Sequence, residues 1–238
     1  MSWFRPSSQS FQSWLYTRPQ LVDFLRRIKR GLGLGSAFNR RLQALLHPLG
    51  DFTFIQIGAH DGFTGDPFRT FILSTSGKGI LVEPQSSLIP LLEQHYSRRP
   101  GISIVRAAVS YSGASTVTLY SSALATVFAP NHPSLLASTS EEHLTTYSHG
   151  GVSEEQVPAV TLEVLMSQQG LKTVDCLFLD VEGAEADILL GMDSDKLCPK
   201  LICFEWVHIP KKLEQVSHHL RGMGFSLETF DADIIAWR

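Results

Sequence analysis

The 238-residue sequence predicts an α/β fold. A largely parallel sheet carries helices on both faces, ends in an antiparallel hairpin and is preceded by a helical arm. Three observations carry this reading. From Asp51 onward, short apolar runs alternate with helix-compatible stretches, the pattern of parallel strands buried on both faces. The last two apolar runs are separated by Asp231-Ala232-Asp233, a hairpin signal. Before Asp51, apolar residues recur at helical spacing among basic ones.

The elements follow in order. Residues 1–50 form the basic helical arm. Leu21, Phe24, Leu25 and Ile28 mark its first helix, which Gly31, Gly33 and Gly35 break. A second, shorter helix covers residues 37–46 and stops before Pro48. Strands are predicted at residues 52–57, 79–82, 102–107, 175–179 and 201–204, and helices at 67–74, 87–97, 162–169, 184–190 and 211–223. A further strand fits residues 116–120, and residues 225–230 and 234–237 make the hairpin. Residues 51–238 thus read as one domain. Within it, residues 121–156 are rich in Ser, Thr, His and Gly with few apolar anchors, which predicts a lid or substrate loop. There is no internal repeat.

Composition narrows the class. At 43% hydrophobic and 18% charged, this is an ordinary globular chain, and its net charge of −3 does not point to a nucleic-acid partner. The charge is uneven: residues 1–50 carry +7 and the remainder −10. A basic arm on an acidic domain can pack as a solvated helix on its own domain, or touch a membrane surface or polyanion peripherally. An exposed apolar face on the arm would also support a homodimer. Three cysteines without CxxC spacing, two of them (Cys176 and Cys203) inside apolar runs, suit a reducing, cytoplasmic setting. No stretch reads as a signal peptide or membrane span.

Four sites carry candidate chemistry, each at a strand end, where open α/β sheets bind ligands. Ile55-Gln56-Ile57-Gly58-Ala59-His60-Asp61-Gly62 follows the first strand. Its glycines allow sharp turns and close backbone approach. A nicotinamide fingerprint would need glycine where His60 and Phe63 stand. Glu83, followed by Pro84, ends the second strand 25 residues after Gly58, where a carboxylate can accept hydrogen bonds from ribose hydroxyls. Asp180, Glu182 and Glu185 lie at a strand-to-helix junction; Asp180 ends the strand, whereas acids at a helix start can be purely structural. Phe204-Glu205-Trp206-Val207-His208 ends the next strand, and His208 is either a general base near neutrality or a structural histidine. No nucleophile elbow, phosphate loop, zinc His pair or EF-hand loop is present.

Together these sites resemble the FkbM family of methyltransferases, over about residues 52–237. The matching pieces are Gln56-Ile57-Gly58-Ala59-His60-Asp61-Gly62, Val82-Glu83-Pro84, Ala107-Ala108-Val109 and Leu179-Asp180-Val181-Glu182-Gly183-Ala184-Glu185 followed by Leu189-Leu190-Gly191. The resemblance implies a seven-stranded, Rossmann-like mixed sheet. It also implies S-adenosylmethionine as methyl donor and a hydroxyl oxygen of a glycan, polyketide or related small metabolite as acceptor. By position, Gln56, Gly58, Ala59, His60, Asp61 and Gly62 would surround the methionine end of the cofactor. Glu83 and Pro84 would meet the ribose, Ala107 the adenine, and Asp180 and Glu182 the reaction centre.

Methyl transfer to an alcohol needs near-attack placement of the oxygen and a group to take its proton. Asp180 and His208 are the two candidates for that group. Either of them could alternatively hold a divalent metal together with Glu182 or Glu205. Two rival readings stand beside this one: a nicotinamide-dependent oxidoreductase, and a non-catalytic binding module acting through its basic arm.

Overall fold

The computed structural model describes residues 35–122, 137–139 and 152–238. The predicted helix around Leu21–Ile28, and most of the predicted lid, lie outside the described residues.

The chain opens with α1 (Ala37–Leu46), capped by the Ser36 side chain, which accepts from the Asn39 amide. Phe38, Leu42 and Leu46 fall four residues apart and are buried together, so the helix is amphipathic and docked. It packs as part of the domain rather than as an arm standing off it. After a 3₁₀ turn (His47–Leu49), β1 (Phe54–Ile57), α2 (Arg69–Ile72), β2 (Gly79–Val82), α3 (Ile89–Tyr96) and β3 (Ile102–Val105) follow. Then come β4 (Ala108–Val109), β5 (Thr116–Ser122), β6 (Ala137–Ser138) and β7 (Val152–Val160). The chain closes with α4 (Leu162–Gln168), β8 (Cys176–Leu179), α5 (Glu185–Gly191), β9 (Leu201–Glu205), α6 (Leu213–Gly222), β10 (Ser226–Phe230) and β11 (Asp233–Trp237).

The main sheet has seven strands in the order β10-β11-β9-β8-β1-β2-β3. The five from β9 to β3 are parallel, and β11 runs antiparallel to both β9 and β10. The mixed sheet with its terminal hairpin is as predicted. Its strands alternate sides. Ile55, Ile57, Leu177, Leu179, Ile202 and Phe204 point to the face covered by α4, α5 and α6. Phe54, Phe178 and Cys203 point to the face covered by α1, α2 and α3. Helices on both faces explain why these strands read as unbroken apolar runs. Arg41 straps α1 to the hairpin, donating to Glu228 at 2.8 Å while lying over the Trp237 ring.

The region after β3 departs from the sequence reading. The predicted strand 102–107 stops at Val105, and the chain leaves the main sheet to begin a second one, ordered β4-β7-β5-β6. The nine-residue β7 pairs along β5 from Thr116↔Pro158 to Ser122↔Val152. Residues 152–156, predicted as loop, are therefore strand. Only a small apolar cluster (Ala108, Leu119 and Val157) sits beneath this sheet. All three cysteines are unpaired. Among the described residues, no helix is long and apolar enough to cross a membrane.

Because Leu42 is fully buried against the sheet, Leu42→Ala should cost about 2–5 kcal/mol of unfolding free energy. Denaturant melts of the two proteins check this; a loss below about 1 kcal/mol would show α1 to be dispensable to the core.

Candidate functional site

The strand order turns back between β1 and β8, and a cleft opens there over the carboxyl ends of the parallel strands. The ends of β1, β2 and β8 supply Gly58, Glu83 and Asp180, and the chain beyond β3 supplies Ala107.

Gly58 is the tightest point of this arrangement. Its φ is +77°, and a Cβ there would lie 1.7 Å from the carbonyl oxygen of Asp180. Only glycine lets the turn after β1 lie on the end of β8. The Gly58 and Ala59 amides both donate to the Val82 carbonyl at 3.0 Å, tying the turn to β2 as well.

Glu83 is buried. Its Oε2 accepts from the His60 amide at 2.8 Å and its Oε1 from the Gln85 amide at 2.9 Å. The Gln85 side chain adds a further hydrogen bond to this carboxylate. Burial raises its pKa, with the Gln85 and His60 amides pulling the other way. His60 (φ +52°), Pro84 and Ala107 line the cleft beside it, as does Gln85, which the sequence reading did not single out.

Four predicted cofactor positions stand behind this wall instead of in it. Ala59 is packed in the core on the α1–α3 face. Gln56 is buried within β1 and hydrogen-bonds with Asp66. Asp61 turns inward, accepting from the Phe63 and Thr64 amides and the Thr64 hydroxyl at 2.7–2.9 Å. Burial pushes its pKa up, but the hydrogen bonds from His60 and Thr64 outweigh that and hold it below the ordinary carboxylate range. Gly62 (φ +68°) presses against Tyr96 and Leu92 of α3. Arg69, also buried, donates to the Gly62 carbonyl at 2.6 Å and braces the same loop from behind.

The loop after β8 is organised by Glu185. This fully buried carboxylate accepts from the Val181 amide at 3.0 Å and the Gly183 amide at 2.9 Å. Burial nonetheless raises its pKa to about 7. The clamp holds Glu182 at φ +53° and Gly183 at φ +108°, which turns Glu182 toward the cleft it lines. Asp180 forms the floor. Its surface meets solvent through the cleft mouth, yet protein encloses it on its other sides. That enclosure, with the charges of Glu182, Glu205, Glu185 and Asp233, raises its pKa well above the ordinary value.

The sequence leaves His208 open between a general base and a structural histidine. His208 Nε2 lies 3.0 Å from Glu182 Oε2 and 3.1 Å from Glu205 Oε2. Hydrogen bonds to these two carboxylates push its pKa up to about 10 against the opposing effect of burial. A ring nitrogen so engaged has no lone pair to accept a substrate proton, and neither His208 nor Glu205 lines the cleft. Of the metal candidates read from the sequence, Glu182, Glu205 and His208 place one ligand atom each within 4.8 Å of one another, and Asp180 is not of that group.

The second sheet closes the other side. Leu119 of β5 and residues 137–139 line the cleft, together with Val109 of β4. The Ser138 hydroxyl donates to the Glu182 carbonyl at 2.8 Å, joining this wall to the loop after β8. Ser138 lies within a stretch that has no apolar pattern, so nothing in the sequence flags it.

The sequence matches the model of the methyltransferase FkbM domain over residues 56–227. No curated protein matches it significantly. Among solved structures, a methyltransferase FkbM from Methylobacillus flagellatus KT is similar with a TM-score of 0.50 at 11% identity, over 79% of this chain and 44% of that one. The chain therefore spans less than half of that protein. A methyltransferase from Geobacter sulfurreducens aligns over 98% of both chains at 11% identity, with a TM-score of 0.46. A precorrin-6y C5,15-methyltransferase from Geobacter metallireducens GS-15 aligns over 84% of this chain and 87% of that one, at 12% identity and a TM-score of 0.45. At such identities the Methylobacillus likeness bears on the fold alone, and the other two carry no argument.

The Glu185 clamp has a pH signature. A carboxyl whose folded-state pKa is about 7 binds its proton more tightly folded than unfolded, so its contribution is present below about pH 4.5 and is lost as pH rises toward 7. We expect this group to remove roughly 3 kcal/mol of stability across that window. Unfolding free energies at several pH values should show the decline in the native protein and a shallower one in Glu185→Gln. Equal slopes would disprove the assignment.

Proposed function

The chain belongs to the methyltransferase FkbM family, and we propose that it transfers a methyl group from S-adenosylmethionine to a hydroxyl oxygen of a sugar, glycan or related small metabolite. The observation that supports this reading is the convergence of Gly58, Glu83, Ala107 and Asp180 on one cleft at the reversal of strand order. The family assignment displaces the nicotinamide reading.

The donor set suits the cofactor. Glu83 lines the cleft at the end of β2, where a carboxylate can accept hydrogen bonds from ribose hydroxyls. Ala107, Val109 and Leu119 form an apolar wall for a flat base. The turn at Gly58 and His60 packs directly on the end of β8, which only a residue without a Cβ permits, and lines the cleft there. S-adenosylmethionine, when bound, supplies an electrophilic methyl on sulfur.

The residues of this chain then have distinct tasks. Asp180, at the end of β8, faces the cleft and accepts the proton of the attacking hydroxyl. Glu182 orients the acceptor, held in place by the Glu185 clamp on its backbone and by His208 at its carboxylate. Residues 137–139 and Leu119 border the acceptor and limit water entry.

Calorimetric titration with S-adenosylmethionine and S-adenosylhomocysteine tests the cofactor. Glu83→Gln keeps the shape of the side chain and should weaken binding at least about tenfold, since hydrogen bonds to a charged group are worth about 1.5–3 kcal/mol each. Unchanged affinity would remove the ribose assignment. Asp180→Asn should retain cofactor binding and lower methyl transfer to a panel of hydroxylated acceptors by about 10²–10⁴-fold; full turnover in that variant would exclude Asp180 as the base.

A further inference from the structure

Beside the cleft, two carboxylates from different elements converge on one imidazole nitrogen. Glu182 comes from the loop after β8, Glu205 ends β9, and His208 follows three residues later. The Nε2 of His208 lies 3.0 Å from Glu182 Oε2 and 3.1 Å from Glu205 Oε2. A ring nitrogen carries at most one hydrogen. One proton must therefore serve two acceptors that approach equally closely, which is a poor match for hydrogen bonding.

It is a good match for a cation. Neighbouring ligand atoms 2.0–2.2 Å from a transition-metal dication lie about 2.8–3.6 Å apart in octahedral or tetrahedral geometry, and the two contacts to Nε2 fall in that range. One ligand atom from each of the three residues lies within 4.8 Å of the other two. Two carboxylates and one imidazole are a mixed hard and borderline donor set, which suits Mn²⁺, Fe²⁺ or Zn²⁺ better than Mg²⁺ or Ca²⁺.

We propose that Glu182, Glu205 and His208 form a divalent transition-metal site at the edge of the cleft. The ion takes the place of the shared proton on Nε2. Because Glu182 also lines the cleft, the ion stands where an acceptor oxygen can complete its coordination. This site is independent of the methyl-transfer reading.

The test uses the full chain, stripped with a chelator and dialysed to equilibrium against Mn²⁺ or Zn²⁺ without any nucleoside. The expected result is about one ion bound per chain, with Mg²⁺ competing weakly. Glu205→Gln and His208→Gln should each reduce affinity at least tenfold. X-ray absorption on the zinc-loaded native protein should show imidazole scattering, and this holds even if a variant does not fold. Absence of uptake, uptake unaffected by both substitutions in folded protein, or a zinc shell without imidazole would each overturn the site. A parallel titration with S-adenosylmethionine separates the two readings. Cofactor binding without metal uptake removes only the metal site, and metal uptake without cofactor binding removes only the methyltransferase reading.

Discussion

Buried carboxylates that accept backbone N–H groups hold the loops after β1, β2 and β8 beside this cleft. Asp61 gathers the Phe63 and Thr64 amides after β1. Glu83 bridges the His60 and Gln85 amides, and so joins the loops after β1 and β2. Glu185 gathers the Val181 and Gly183 amides after β8. Loops leaving parallel strands carry amides that no neighbouring strand can satisfy, and those groups cannot remain unpaired inside a protein. An acid placed under each loop meets that need and fixes the loop conformation. The positive φ values at His60, Glu182 and Gly183 depend on this support. Remove the acids, and the side chains facing the cleft lose their directions.

The same chemistry explains the mixture of acid roles. Asp61, Glu83, Asp180 and Glu185 all follow main-sheet strands, yet they differ in what surrounds them. Asp61 is pulled below its ordinary range by donors, Glu185 is pushed above it by burial, and Asp180 by burial and the charges of neighbouring acids. Asp180, which no backbone amide claims among the described hydrogen bonds, is the one left facing the cleft.

Much of this was legible in the sequence. The strands of the main sheet are buried on both faces, so Phe54–Ile57, Gly79–Val82 and Cys176–Leu179 read as apolar runs, and the residues after them could be placed at strand ends. The terminal hairpin was equally plain, though its turn, Asp231-Ala232, is one residue shorter than the sequence suggests. The second sheet was not, because β7 buries Val157 alone and leaves Val152, Pro158, Ala159 and Val160 partly or largely exposed among polar residues; its pairing is with β5. Within the site, the inward turn of Asp61 depends on hydrogen bonds two and three residues away, which spacing does not reveal. The state of His208 depends on Glu182, 26 residues distant in sequence and brought near only by the pairing of β8 with β9.

The wall built from β5, β6 and β7 has a consequence for how such a protein can change. β5 follows closely on β4, and β7 leads directly into α4 of the main core, so both ends of this excursion are anchored. β6 pairs with β5 at the edge of the second sheet and takes no part in the seven-stranded one. Doubling the length of a flexible loop adds only about 0.6 kcal/mol. Insertions or deletions beside β6 therefore alter this wall of the cleft at little cost, while Gly58, Glu83 and Asp180 stay fixed at the ends of main-sheet strands. The two walls can vary independently, so the shape of the cleft can be changed from one side without disturbing the other.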